Sequence, residues 1–198
     1  MFFHPGIAIL VDCWGHLDQP IYQETWQNIS KKINEYNIQT IVLSTHEYDI
    51  QTHWNTEWFI NSHHIFFNGN PNYADWVRSL PNAIGSAPGF IYQTAPEIMN
   101  IKIPGKLKLL LHDPDQLIWY LNEVVPDYTN VWYFGCHWDI CIADRDIGYK
   151  TLYPKLKKDN KRCFTDLTCV VTEDHQWPQI NNSNHWHFVE NNIYELKY

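Results

Sequence analysis

Two stretches of this chain bring together residue types suited to nucleophilic chemistry. The apolar run Ile7-Ala-Ile-Leu-Val11 ends on a carboxylate, Asp12. A second apolar run, Val131-Trp-Tyr-Phe134, ends at Gly135, six residues before Cys141. Short unbroken apolar runs are the pattern of strands covered on both faces of a parallel sheet. The ends of such strands deliver side chains to the edge where open α/β sheets bind ligands. A thiolate at Cys141 would attack a carbonyl or amidine carbon and form a covalent intermediate. Asp12 would take the thiol proton and return it to a leaving group, provided burial raises its pKa towards neutrality. Read singly, Cys141 is a small buried hydrophobe, as most cysteines are, and Asp12 is as readily a turn or cap residue. Their joint occurrence at two strand ends carries the reading.

The elements that must position them follow from periodicity. Ile21–Tyr36 reads as an amphipathic helix with Trp26, Ile29, Ile33 and Tyr36 along one face. Ile41–Leu43 reads as a second buried strand, and Lys106–Leu111 follows a break at Pro104-Gly105, with Ile98–Ile103 a further strand candidate. Asp113 or Asp115 can cap a helix over Gln116–Val124. Cys141–Lys158 reads as one long helix, with Gly148 against it, and this would set Cys141 at the positive end of a helix dipole. Arg162–Thr165 reads as a strand ending at Asp166, continued by Cys169–Thr172. Strand–helix alternation predicts an α/β fold, a three-layer doubly wound parallel sheet with helices on both faces. No repeat or linker divides the chain, so residues 1–198 are expected to form a single domain.

Composition narrows the function classes. Hydrophobic residues make up 44% and charged residues 18%, which favours a packed core over disorder. The net charge of −8, with basic residues gathered only at Lys155–Arg162, predicts neither a nucleic-acid partner nor a cationic membrane-binding face. No apolar segment reaches the length of a membrane span, and Met1-Phe-Phe-His-Pro5 does not read as a signal peptide. Five cysteines without a CxxC pair read as reduced thiols, so a cytoplasmic location is expected. The 10 Trp, 12 Tyr and 9 Phe are expected to fill the core and a subunit interface, or to line a pocket for a flat substrate, with Trp14, Trp54, Trp58 and Trp138 as lining candidates.

The segments Ala8-Ile-Leu-Val-Asp-Cys-Trp14 and Tyr133-Phe-Gly-Cys-His-Trp-Asp-Ile-Cys141, with a lysine between them, resemble the isochorismatase-like cysteine hydrolases. That superfamily includes nicotinamidases, N-carbamoyl amidohydrolases and ureide hydrolases. The resemblance implies a cysteine-dependent hydrolase that cleaves a C–N bond of a small amide, carbamoyl or ureide substrate through an acyl-enzyme. By position, Asp12 would be the general acid/base and Cys141 the nucleophile. Lys106 would be the third member, with Lys108 and Lys102 as further choices. Here the chain departs from the family, reading Gly105-Lys-Leu-Lys-Leu-Leu-Leu-His112 where a small residue and an aromatic usually flank the lysine. The resemblance also implies a cis peptide between Cys136 and His137, turning the His137 N–H, with that of Cys141, towards an oxyanion. His137 and Trp138 replace smaller residues of the family and would narrow the pocket or stack on substrate beside Trp14; alternatively they pack at a subunit contact. Assembly as a dimer or tetramer is implied as well.

Nicotinamidase-like members bind a metal after the second strand. The matching stretch here offers His46, Glu47, Asp49 and His53 in a different order, so no metal or other cofactor is expected. His63-His64 and His185-x-His187 read as surface loops or turns. A catalytically impaired binding or scaffold protein on the same fold is the alternative function. No nucleophile-elbow serine, GxGxxG or P-loop is present.

Overall fold

The computed structural model describes residues 4–11, 19–44, 107–110, 114–145, 147–156, 161–180 and 185–197. They build an α/β protein around a seven-stranded sheet of order β3-β2-β1-β4-β5-β7-β6. The strands are β1 (Gly6–Val11), β2 (Ile38–Ser44), β3 (Leu107–Leu110), β4 (Asn130–Cys136), β5 (Arg162–Val171), β6 (Trp186–Glu190) and β7 (Ile193–Leu196). The five strands from β3 to β5 pair in parallel; β7 runs antiparallel to β5, and β6 antiparallel to β7.

Every residue of β1 and of β4 is buried, as expected of strands that are apolar apart from Asn130 at the start of β4. Between them in sequence, helix α1 (Pro20–Glu35) buries Tyr22, Thr25, Trp26, Ile29 and Ile33, the stripe expected from spacings of three and four. Pro20 opens the helix, where its missing N–H costs nothing. Trp132 of β4 is sandwiched in the core: Tyr36 stacks on it at 4.3 Å between ring centroids and Phe164 of β5 at 5.0 Å. Among the described residues, Trp26, Trp132 and Trp186 are all buried.

Helix α2 (Pro114–Trp119) continues into a π-helical turn over Tyr120–Val124. Beyond it the buried Lys161 ammonium sits 3.5 Å from the carbonyls of Val125 and Pro126. The expected long helix from Cys141 to Lys158 is not formed. It is replaced by α3 (Cys141–Asp144), α4 (Tyr149–Leu152) and a 3-10 turn over Tyr153–Lys155. Gly148 explains the break: its N–H closes a turn on the Arg145 carbonyl at 2.7 Å, and a Cβ there would lie 2.7 Å from the Ala143 carbonyl oxygen. Pro154 then denies the second segment an interior N–H.

Two further expectations change. The strand expected to end at Asp166 runs on as one ten-residue element, with its irregularity against β4 between Tyr133 and Gly135. His187 lies within strand β6 instead of a surface loop. The candidate strand over Ile98–Ile103, the metal-ligand candidates His46, Glu47, Asp49 and His53, the pair His63-His64, and Trp54 and Trp58 fall outside the described residues.

Candidate active site

In a sheet of this order the connections diverge between β1 and β4, and the crevice beyond their C-terminal ends is where ligands of open α/β sheets bind. Val11 is registered with Ser44 of β2 on one side and Gly135 of β4 on the other, so the three strands end abreast. Asp12, Trp14 and Lys106 lie outside the described residues. The residue preceding Asp12 is thus level with the glycine that opens the cysteine motif.

The chain leaves β4 through Gly135 at φ 111°, a left-handed value that a residue without a Cβ adopts freely. The next peptide bond, Cys136–His137, is cis, at the position the resemblance implies. Backbone hydrogen bonds then shape the turn that carries the thiol. The Trp138 N–H donates to the carbonyl of Val171, at the end of β5, at 2.8 Å. The N–H groups of Ile140 and Ile142 donate to the His137 carbonyl at 3.2 and 3.0 Å. Cys141 opens α3 half-buried, whereas Cys136, Cys163 and Cys169 are buried. For Cys163, burial first and the Glu195 carboxylate second push the thiol pKa well up, which makes it a poor nucleophile. Because α3 is only four residues long, the dipole of a long helix does not act on Cys141.

The side chains of His137 and Trp138 point to different neighbours. The Trp138 ring packs on Tyr149 at 5.7 Å and Trp186 at 5.1 Å, joining α4 and β6 around the motif. The His137 Nε2 lies 3.0 Å from the Tyr22 hydroxyl, which also lies 2.9 Å from the Nδ1 of His175. Burial, with a smaller contribution from the Cys136 thiol, pushes the Tyr22 pKa up, so this group stays a neutral phenol. Reading the sequence missed Tyr22 and His175. They sit 115 and 153 positions away from their partners in these contacts, and no local spacing marks them.

The region of the third catalytic candidate is set by β3. Leu107, the residue after Lys106, is registered with Thr40, near the start of β2. At its other end, Leu110 is registered with Leu43, beside Ser44 and Val11. The end of β3 that shares an edge with Val11 and Gly135 is therefore the Leu110 end.

Among the described residues, no group of three or more His, Cys, Asp or Glu side chains is placed to hold a metal ion. No helix among them is long and apolar enough to cross a membrane. Comparison with protein-family models, curated protein sequences and solved structures finds no match.

Proposed function

We propose that this protein is a cysteine hydrolase of the isochorismatase-like type, cleaving a C–N bond in a small amide, carbamoyl or ureide substrate. The observation that carries the reading is the register of Val11 with Gly135 across the parallel β1–β4 pair. It supports a site at which a carboxylate following β1 and a thiol following β4 share one sheet edge. Cys141 is the nucleophile: it passes its proton to Asp12 as its sulfur adds to the substrate carbonyl, the tetrahedral intermediate collapses, and the amine leaves with that proton from Asp12. Water then hydrolyses the thioester, giving up its proton to Asp12 and regenerating the thiol. The N–H groups of His137 and Cys141 serve the oxyanion. The rest of the proposal is a three-layer, doubly wound domain spanning 1–198, working without a cofactor as a cytoplasmic homo-oligomer.

Lys106 receives the least support of the three candidates, because the register of β3 favours groups following Leu110 over groups preceding Leu107. Lys106→Ala therefore separates a Cys–Asp site from a Cys–Asp–Lys site. Cys141→Ala should abolish turnover of a panel of primary amides, N-carbamoyl compounds and ureides, and should abolish the covalent adduct seen by intact-mass measurement. Hydrolysis by the Cys141→Ala protein at the parent rate would end the proposal.

A non-catalytic binding protein is the second reading. What favours it is that the rings of His137 and Trp138 are engaged with Tyr22, Tyr149 and Trp186. Five thiols with equal reactivity towards a neutral-pH alkylating probe would decide for it.

A further inference from the structure

The turn that carries Cys141 is joined to the end of β5 by bonds that run in both directions. Strands β4 and β5 stay in register as far as Cys136 and Val171. Beyond them the Trp138 N–H donates to the Val171 carbonyl at 2.8 Å. In a regular parallel ladder, a residue that donates in this way accepts in return through its own carbonyl, from the N–H two positions further along the partner strand. Glu173 occupies that position, yet its N–H goes to a side chain, donating to Oδ1 of Asp139 at 3.1 Å. Asp139 thus takes over the accepting role that the ladder would give to the Trp138 backbone. The main chain can therefore leave the sheet at Trp138 and still be tied to β5, and two residues after Asp139 the thiol-bearing Cys141 opens α3.

Each partner in this bond belongs to a closed turn. On the β5 side, the Thr172 N–H donates to the Gln176 carbonyl at 2.8 Å, the Gln176 N–H to the Thr172 hydroxyl at 3.3 Å, and the His175 N–H to the Thr172 carbonyl at 3.0 Å. Glu173 lies inside this turn. On the β4 side, the N–H groups of Ile140 and Ile142, one on each side of Cys141, donate to the His137 carbonyl. Asp139 lies inside that turn, and its side chain joins the two. Asp139 and Glu173 are both exposed, so water competes for the bond and its worth is that of one ordinary hydrogen bond. A bond of that size does not decide whether the domain folds, but it does shift the balance between two arrangements of a short turn.

We propose that Asp139 is a positioning residue for Cys141, which holds the turn carrying the thiol against the end of β5 by accepting one hydrogen bond from the Glu173 backbone. The consequence for turnover rests on the hydrolase reading; the tie between the two turns does not. What the role requires is an acceptor oxygen on a side chain of this length, and neither a charge nor a base. Asparagine supplies such an oxygen and should stand in for Asp139, whereas alanine leaves the Glu173 N–H to water.

The test compares the full-length protein with Asp139→Ala and Asp139→Asn; the position is exposed, so neither change opens a cavity. Amide hydrogen exchange, read by NMR, is followed at Glu173, which makes the bond, and at Ile140 and Ile142, which report on the Cys141 turn. The kcat and KM are measured on the panel of primary amides, N-carbamoyl compounds and ureides. Asp139→Ala should speed exchange at all three amides by about two- to tenfold. It should lower kcat by a similar factor while KM stays within about twofold, the signature of a displaced reacting group and not of lost binding. Asp139→Asn should bring exchange and kcat back to within about twofold of the parent. The proposal is overturned if exchange at Ile140 and Ile142 is unchanged in Asp139→Ala, if Asp139→Asn is as impaired as Asp139→Ala, or if an active parent keeps its kcat when Asp139 is replaced by alanine. A parent that hydrolyses nothing on the panel, while the three amides respond as expected, would keep Asp139 as the anchor of the turn and overturn the hydrolase reading.

Discussion

Asp166 lies within β5 with its side chain 3% exposed, yet its oxygens are well supplied with donors. The Tyr36 hydroxyl donates to Oδ2. The Thr168 N–H and hydroxyl donate to Oδ1 at 2.9 and 2.7 Å, and the Lys32 ammonium stands 3.9 Å from Oδ2. A buried carboxylate is tolerated on these terms because hydrogen bonds and a cation replace the water it has lost. Burial, followed by the bond to Asp166, pushes the Tyr36 pKa up, so the phenol remains a neutral donor at neutral pH. Tyr36→Phe keeps the ring that stacks on Trp132 and removes only the hydroxyl. The expected loss is about 1.5–3 kcal/mol, the usual value of a hydrogen bond to a charged group. In a chain of this size that reads as a fall of roughly 3–10 °C in the thermal midpoint. An unchanged midpoint would show that Thr168 and Lys32 alone hold the carboxylate.

At the scale of elements, the antiparallel β6–β7 hairpin closes the β5 side of the sheet, and an ion pair ties it to β5. The Arg162 guanidinium forks onto Glu195, with its Nε donating at 2.6 Å to one oxygen and its terminal nitrogen at 2.9 Å to the other. Burial raises the Glu195 pKa, but the Arg162 hydrogen bonds and charge, together with Lys197, outweigh it and leave the carboxyl below its usual range. A carboxyl depressed in the folded state stabilises the fold above the unfolded value of about 4.3, and that stability fades as pH falls through the lower folded value. Glu195→Gln should therefore cost about 1–2 kcal/mol at pH 7, the arginine being partly exposed to screening. In urea unfolding the difference from the parent should shrink on acidification to pH 3.5; an equal penalty at both pH values would mean that packing, and not charge, fastens the hairpin. Neither strand of this hairpin was read from the sequence. Its signal was Asn191-Asn192 between two short runs rich in aromatic and β-branched residues, with Asn191 at φ 50°. The segment after Cys141 was misread for the opposite reason: its helical periodicity is real, but Gly148 and Pro154 punctuate it, and backbone geometry overrides periodicity at such residues.

At the scale of the whole molecule, the parts of the fold that could be read were those whose pattern is short-ranged and redundant. β1, β4 and α1 each repeat their signal in every residue or every turn, so their places were legible to within a residue or two. The strand order was legible only as a class, because pairing is decided by contacts far apart in sequence, and the Tyr22–His137–His175 cluster was hidden for the same reason. The same order brings the C-terminal ends of β2, β1 and β4 abreast. β2 ends at Ser44, level with Val11; in sequence, His46, Glu47, Asp49 and His53 follow Ser44, and Asp12 follows Val11. A metal-assisted amidase and a metal-free cysteine hydrolase would therefore use neighbouring strand ends, and topology alone does not choose between them. Their response to a chelator does. For the cofactor-free mechanism proposed here, turnover of the amide panel should be unchanged after dialysis against EDTA, and the dialysed protein should form the Cys141 adduct at the parent rate. Loss of turnover that Zn²⁺ or Fe²⁺ restores, with adduct formation restored in parallel, would move the water-activating role from Asp12 to a metal held beyond β2.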